Sequence, residues 1–452
     1  MQTDSVYGYL NSLWTLLFSP QGFAGVGVMF ILCVLQFRVR SARWVCLGLL
    51  FYVSTYAAGE LRQDAALEYL QIPFPLSIIR AHTREFTVLL VVCLLVPLIQ
   101  SSRGWRRHLV SAGLVFYVIL QAWMCVRLYA NGDSAARSLL SLISYALLLA
   151  TLVVGVGRSL QSFEDGYALC GSFAFAGFLF AISNVYHTVM NPASSYTGRF
   201  YGITPNPQYV GQACALFLIP TLFLAQSPQV RKWWRPFLWT SAGLLIVFLI
   251  WSGSRTGVLM ALVGVAALYR SHVDRFVVAG IFVGAAVLIA LPYFPDAAAN
   301  IAHILNTENT RAGAWESLID IYRQNPLFGA QYQGTGYAES YYLAALAYYG
   351  LVGFIPALLT TLCYAGSVLR IVRRRSDLGP HAGLADVATA GMLMVLVISV
   401  FESFLLGVWN TSEMFLFVQF AFIGYLRDEQ DALAEAPDEY LMMADAGAEP
   451  AI

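Results

Sequence analysis

The chain is expected to be an all-α polytopic membrane protein, and three observations lead there. Hydrophobic residues make up 58% of its 452 positions and charged residues only 12%, with a mean hydropathy of +0.65. That balance lies far outside soluble globular composition. The apolar residues gather in long runs parted by short loops, and the arginines concentrate in every second loop. A span needs roughly 20 apolar residues. Backbone groups in lipid must be satisfied within their own segment, so the runs are helices. A β-barrel would show alternating segments of roughly ten residues, which the sequence lacks.

Spans are expected near 21–37, 44–58, 86–100, 109–126, 138–156, 168–187, 207–225, 236–252, 256–269, 276–292, 340–369, 387–402 and 411–426. The runs at 44–58, 86–100, 256–269 and 387–402 are short for a crossing, which leaves about 12–13 transmembrane helices. One set of loops holds Arg38, Arg40 and Arg43, then Arg103, Arg106 and Arg107, then Arg158. It continues with Arg231, Lys232 and Arg235, with Arg270 and Arg275, and with Arg370, Arg373, Arg374 and Arg375. The positive-inside rule makes those loops cytoplasmic. Topology leaves Arg62, Arg80, Arg84, Arg127, Arg137, Arg199, Arg255, Arg311 and Arg323 on the other face without an explanation.

Lys plus Arg and Asp plus Glu both number 26, so no bulk attraction to nucleic acid is implied. The seven cysteines form no CxxC pair and read as packed, inert thiols. The N-terminal MQTDSVYGYLNSLW lacks a basic start and a small-residue cleavage site, so no removable signal peptide is expected. The apolar stretch 9–18 is expected in the outer interface.

Residues 1–426 are expected to form a single membrane domain with outer loops 59–85 and 293–339. Residues 427–452 read as an acidic, disordered cytoplasmic tail without chemistry. Within the longer loop, RAGAWESLIDIYRQ predicts a short amphipathic helix capped by Asn309 or Thr310 and ended by Asn325-Pro326. Its apolar stripe is Trp315, Leu318, Ile319 and Tyr322, and its polar face Glu316, Asp320 and Arg323. Such a helix lies along a membrane surface or caps a cavity.

Three outer arginines are candidates for anion binding. Arg199 sits in GRFYGITPNPQYVGQ, Arg255 in the tight WSGSRTG connection, and Arg311 at the start of the loop helix. A helix start itself favours an anion. Burying a guanidinium near lipid costs at least about 2.5–3.5 kcal/mol without compensation. Its planar fork suits phosphate oxygens, although snorkelling or a structural ion pair is the alternative for each. Glu339 begins ESYYLAALAYYGLVG at the mouth of a span. A partly desolvated carboxylate there suits general-base work; the alternative is an acid that merely favours the helix dipole.

His303 and Tyr342 are auxiliary candidates, His303 as a helper near Arg311. No two of His82, His187 and His303 have metal-ligand spacing, so no metal site is expected. Glu402 and Glu413 flank the last outer turn and read as structural. Walker, nucleophile-elbow and dinucleotide motifs are absent. WSGSRTG also spells GxxxG, a pattern of close helix packing.

Taken in order, GRFYGITPNPQYVGQ, WSGSRTG, NTRAGAWESLIDIYRQNPLFGAQYQGTG and ESYYLAALAYYGLVG resemble the O-antigen ligase and Wzy-type polymerase superfamily over roughly 196–356. The resemblance implies a metal-independent, inverting glycosyl transfer at the periplasmic face of a bacterial inner membrane, without a cofactor. It implies an undecaprenyl-diphosphate-linked glycan as donor and a sugar hydroxyl as acceptor. Other polysaccharide-assembly proteins, such as a flippase and a chain-length regulator, are the partners it suggests beside the bilayer. Arg255 and Arg311 match arginines that hold the diphosphate, and Arg199 matches a further one. Ligases of the family carry His-Asn where this chain has Glu339-Ser340, which looks more like the exopolysaccharide polymerases with Glu339 as base. A ligase moving a finished glycan to lipid A core or protein is the alternative. A secondary transporter or flippase is another, but it would show inverted repeats and ionisable residues near the bilayer midplane.

Overall fold

The computed structural model describes residues 19–57, 72–100, 108–130, 135–191, 195–196, 199–204, 206–270, 301, 303–304, 311–330, 339–406 and 409–435. The expected segments 9–18 and 276–292 lie outside them, as do the proposed caps Asn309 and Thr310. The described chain opens with helices α1 (Pro20–Arg38), α2 (Ser41–Ala57), α3 (Leu76–Ala81), α4 (Thr83–Leu94) and α5 (Val96–Gln100). Next come α6 (Ala112–Ala130), α7 (Ala135–Leu148), a π-helical stretch Leu149–Gly155, and α8 (Val156–Ser159). Helix α9 (Phe163–Met190) leads into a two-stranded ribbon of β1 (Ser195–Tyr196) and β2 (Arg199–Phe200). Then follow α10 (Pro207–Gln226), α11 (Arg235–Trp251), α12 (Arg255–Leu268) and α13 (Ala312–Gln324). Helices α14 (Tyr341–Arg373), α15 (Ala382–Phe401) and α16 (Thr411–Glu435) complete it.

The all-α polytopic class is observed. Among the described residues, 7 helices are long and apolar enough to cross a membrane, and Arg255–Leu268 is a shorter apolar one. Helix α10 is the centre of the bundle, with 83% of its apolar window buried, whereas the window of Lys232–Trp251 is only 28% buried. Side chains such as Phe30, Leu139, Val247 and Leu362 are exposed, as expected of a surface that faces lipid. Trp233 and Trp234 are exposed beside Arg231, Lys232 and Arg235, the composition of a membrane-interface belt.

Two expected spans are broken. The run 86–100 divides into α4 and α5 just before Pro97, whose ring cannot donate a backbone hydrogen bond. The run 340–369 divides at Gly350, which has φ 64 and ψ −166. In a straight helix, residues 19 apart are separated by about 28 Å. Yet the Tyr342 hydroxyl lies 2.8 Å from Thr361 Oγ1. The limb 341–349 is therefore folded back against the limb 351–373.

A clasp holds the break. After it, the amides of Leu351 and Val352 have no helical carbonyl of their own to bond. Pro326 O and Leu327 O accept from them at 2.9 and 3.2 Å, and Ala330 N donates to Ala347 O at 2.9 Å. Gly329 (φ 77) meets the same turn, and a Cβ on Gly350 would lie 2.3 Å from Leu327 O. From α6, Trp123 Nε1 donates to Tyr349 O at 3.0 Å and Arg127 Nη2 to Gly329 O at 2.9 Å. Arg127, one of the arginines topology left over, thus has a structural role.

Helix α13 rests on the folded-back limb. Leu318 is buried against Ala344, Ala347 and Tyr348, with Ile321 packed beside it. Ile319, expected on this stripe, is exposed instead. The buried face is centred on Leu318, and the next residue along is turned about 100° away from it.

Helices α12 and α15 run antiparallel and are tied at both ends. Thr256 Oγ1 donates to Glu402 at one end, and Arg270 pairs with Asp386 at 2.8 Å at the other. The GxxxG packing reading also holds at Gly257, where a Cβ would meet the Gly211 backbone at 2.6 Å. The expected tail needs a correction: α16 continues to Glu435. Gln430 is buried, and Asp431 bonds both His108 and Arg374. Those acids neutralise a basic helix end, which gives the segment a reason to order.

Candidate active site around Arg311

Three helix starts converge on one point. Ser254 caps α12 by accepting from Gly257 N, and Ser340 caps α14 by accepting from Leu343 N. Arg311 itself occupies the cap position of α13. Arg311 Nη2 donates to Thr256 Oγ1 in the first turn of α12 at 3.1 Å. Its Nε lies 3.1 Å from Glu339 Oε2, just before the start of α14. Amide groups and helix dipoles therefore favour negative charge here, in addition to the guanidinium.

Glu402 completes the arrangement. It is the residue that ends α15, and it is 4% exposed. Its Oε1 accepts from Arg311 Nη2 at 2.9 Å and from Thr256 Oγ1 at 3.3 Å. Burial pushes its carboxyl up to about 7, and nearby Glu339 adds to the rise while Arg311 and Thr256 oppose it. The Arg311 guanidinium also lies over the Phe401 ring, 5.3 Å from its centroid. Glu339 is fixed through its backbone, since Trp315 Nε1 of α13 donates to Glu339 O at 3.2 Å.

Arg199 and Arg255 stand on the other side of the α12 start. Arg199 Nε donates to Ser252 O at 3.0 Å, so the β-ribbon is pinned to the turn ahead of α12. Burial draws the Arg199 guanidinium below its ordinary range; Tyr201 opposes this, and neighbouring Arg255 adds to it. His303 is drawn down by burial and then by Arg199 and Arg255. The Tyr342 hydroxyl is bonded to Thr361 Oγ1 at 2.8 Å.

The site is recessed. At 1.5 Å per residue, the second limb of α14 rises roughly 36 Å from Arg374 to Gly350, and α15 roughly 24 Å from Asp386 to Glu402. Arg375 bonds Asp386, so the end of α14 and the start of α15 lie at about one level. Glu402 and its partners consequently lie roughly 12 Å inward of Gly350. Non-helical backbone at such depth is tolerated where it is enclosed by protein or lines an aqueous cavity. Half-helix starts aimed inward are a recurrent way of meeting an anion there.

Residues 240–358 match the family model described as O-antigen ligase. That stretch of the chain is similar to O-antigen ligase domains. Arg255, Thr256, Arg311 and Glu339 fall inside this stretch, while Arg199 and Glu402 fall outside the matched residues. No curated protein matches the chain. Sequence reasoning missed the place of Glu402 and Thr256 in the site. A signal existed for the first, an acid that closes a nearly charge-free apolar run, but its arginine partner lies 91 residues away.

Proposed function

We propose that the protein is a polysaccharide polymerase that transfers a lipid-diphosphate-linked glycan to the hydroxyl of an acceptor sugar. The observation that carries this reading is the meeting of Arg311 with Glu339 where three helix starts converge, inside the stretch that is similar to O-antigen ligases. Undecaprenyl diphosphate is the carrier this reading favours, at the periplasmic face of an inner membrane.

In the reaction the acceptor oxygen attacks C1 of the donor sugar, and its proton passes to Glu339. The C1–O bond to phosphate breaks, and its electron pair leaves on the diphosphate. Arg311, Arg255 and Arg199 stabilise the charge that grows there, which is where preorganised donors accelerate transfer most. Attack opposite the leaving group inverts C1. Helix α13 covers the point of reaction and limits hydrolysis by water. The residues that act are side chains of this chain alone, without a metal in the scheme.

A ligase reading, with lipid A core or protein as acceptor, is favoured by the description of the matching family. Product size separates the two. In a host lacking the gene, accumulated single repeat units, rescued by wild type and not by Arg311→Ala, support the polymerase. Long lipid-linked chains that fail to move support the ligase, and unchanged glycans overturn both.

A further inference from the structure

Arg311 is held by two carboxylates that differ in kind. Glu402 is enclosed, bonded also to Thr256 at the end of a helix strut that is tied at both ends. Glu339 has a side chain 26% exposed, and its carboxylate reaches Arg311 Nε from the mouth of a half-helix. A diphosphate that takes Arg311 through Nε displaces Glu339, and one that takes it through Nη2 displaces Glu402. The buried partner has little room to leave and a neighbour to lose; the open one can turn into solvent.

We propose that Glu402 is the positioning residue of Arg311 and that Glu339 is its exchangeable partner, so that entry of a diphosphate releases Glu339 to act as base. This rests on the glycosyl-transfer reading above. In the resting site Glu339 is bound to a cation and is a poor proton acceptor. The diphosphate takes its place on Nε, and the freed carboxylate is left beside the acceptor hydroxyl. Donor binding and base activation become one event, and a site without donor does not activate water. Thr256 shares the positioning role, since its hydroxyl touches both Arg311 and Glu402.

Charge on Glu402 then tunes the affinity of Arg311 for the anion. The charged groups that face Glu402 are Arg311 and Glu339, and burial raises its carboxyl to about 7. Above that pH the carboxylate is ionised and competes with the ligand. Below it, the proton leaves more of the positive charge of Arg311 to the diphosphate. His303 also titrates near the arginines and is therefore replaced by Asn in a control background.

The experiment measures binding of farnesyl diphosphate to the full-length protein in nanodiscs between pH 5.5 and 8.5. Glu339→Gln is expected to bind several-fold more tightly than wild type while forming no polymer. Glu402→Gln is expected to flatten the pH dependence that wild type shows with the same ligand, also in the His303→Asn background. Glu402→Ala is expected to weaken binding about tenfold or more, with Glu402→Gln restoring most of it. Circular dichroism and elution volume screen out misfolded variants. Unchanged or weaker binding by Glu339→Gln, or an identical pH profile in Glu402→Gln, overturns the inference while binding through Arg311 stands. If farnesyl diphosphate binds wild type and Arg311→Ala equally, the glycosyl-transfer reading itself fails.

Discussion

At the two ends of α15, arginines meet carboxylates under different conditions. At its start, Arg375 grips both oxygens of Asp386 and Arg270 adds a further contact. Nearby, Arg374 bonds Asp377 and Asp431. Arg374, followed by His108, holds the Asp431 carboxyl below its ordinary range, since a side chain that is 35% exposed loses little hydration. At the far end Arg311 is bonded to Glu402, yet that carboxyl sits near 7. Pairing prevails where water remains, and desolvation prevails where it does not. The charge balance differs as well. Arg270, Arg374 and Arg375 face Asp377, Asp386 and Asp431, whereas at the far end Arg311 faces both Glu339 and Glu402. One end is a network of pairs that keeps part of its hydration; the other sets a single guanidinium between two carboxylates, one of them enclosed.

The sharpest way to break this contrast is one substitution at each end. Arg311→Lys keeps the charge but loses the planar fork, and polymer yield is expected to fall about 10²–10³-fold, the scale of a lost transition-state donor. Arg375→Lys is expected to keep most of the yield in the same complemented host. Equal losses would erase the distinction between the ends.

Glu402 offers a second test, through stability. Its folded carboxyl lies near 7 against an ordinary 4.5, so the folded state holds the proton more tightly. Stability is then greatest below 4.5 and falls as pH rises to 7, by an amount on the order of 3 kcal/mol. The thermal midpoint of wild type should drop across that window, and Glu402→Gln should remove that part of the slope. A parallel drop in both proteins would count against the burial of this charge.

A third pair compares glycines. Gly350 and Gly379 both have positive φ, but only Gly350 is crowded by another segment. Gly350→Ala should destabilise by at least about 2 kcal/mol, and Gly379→Ala by about 1 kcal/mol, from backbone strain alone. Similar shifts in midpoint would mean that the clasp contributes little. The smallest effect is expected from Asp431→Asn, under about 1 kcal/mol and reduced further by salt, as for exposed pairs generally.

The helical class was readable because lipid leaves the backbone no other partner, and apolar runs show that directly. The break at Gly350 was not. AYYGLVGFIP reads as one apolar run, and the positive φ is stabilised by residues 326–329 of a different segment. Arg255 and Arg311 stood out because topology gave them no reason to be there. Tyr342 follows Glu339 closely in the chain, and the fold-back that brings its hydroxyl to Thr361 has no signature in that stretch. Asp431 read as part of a solvated tail because its partners, His108 and Arg374, are remote in sequence.

The inward position of Glu402 and Arg311, roughly 12 Å beneath Gly350, limits the shape of what can react there. If the proposed reading holds, a glycan presented side-on would meet the clasp of 326–330 and the turn at Gly350 before any hydroxyl came near Glu339. A slender terminus passes where a flank does not. Under the proposed reading the protein therefore selects tips over branches, and growth is confined to chain ends by the geometry of the approach, before sugar identity is consulted.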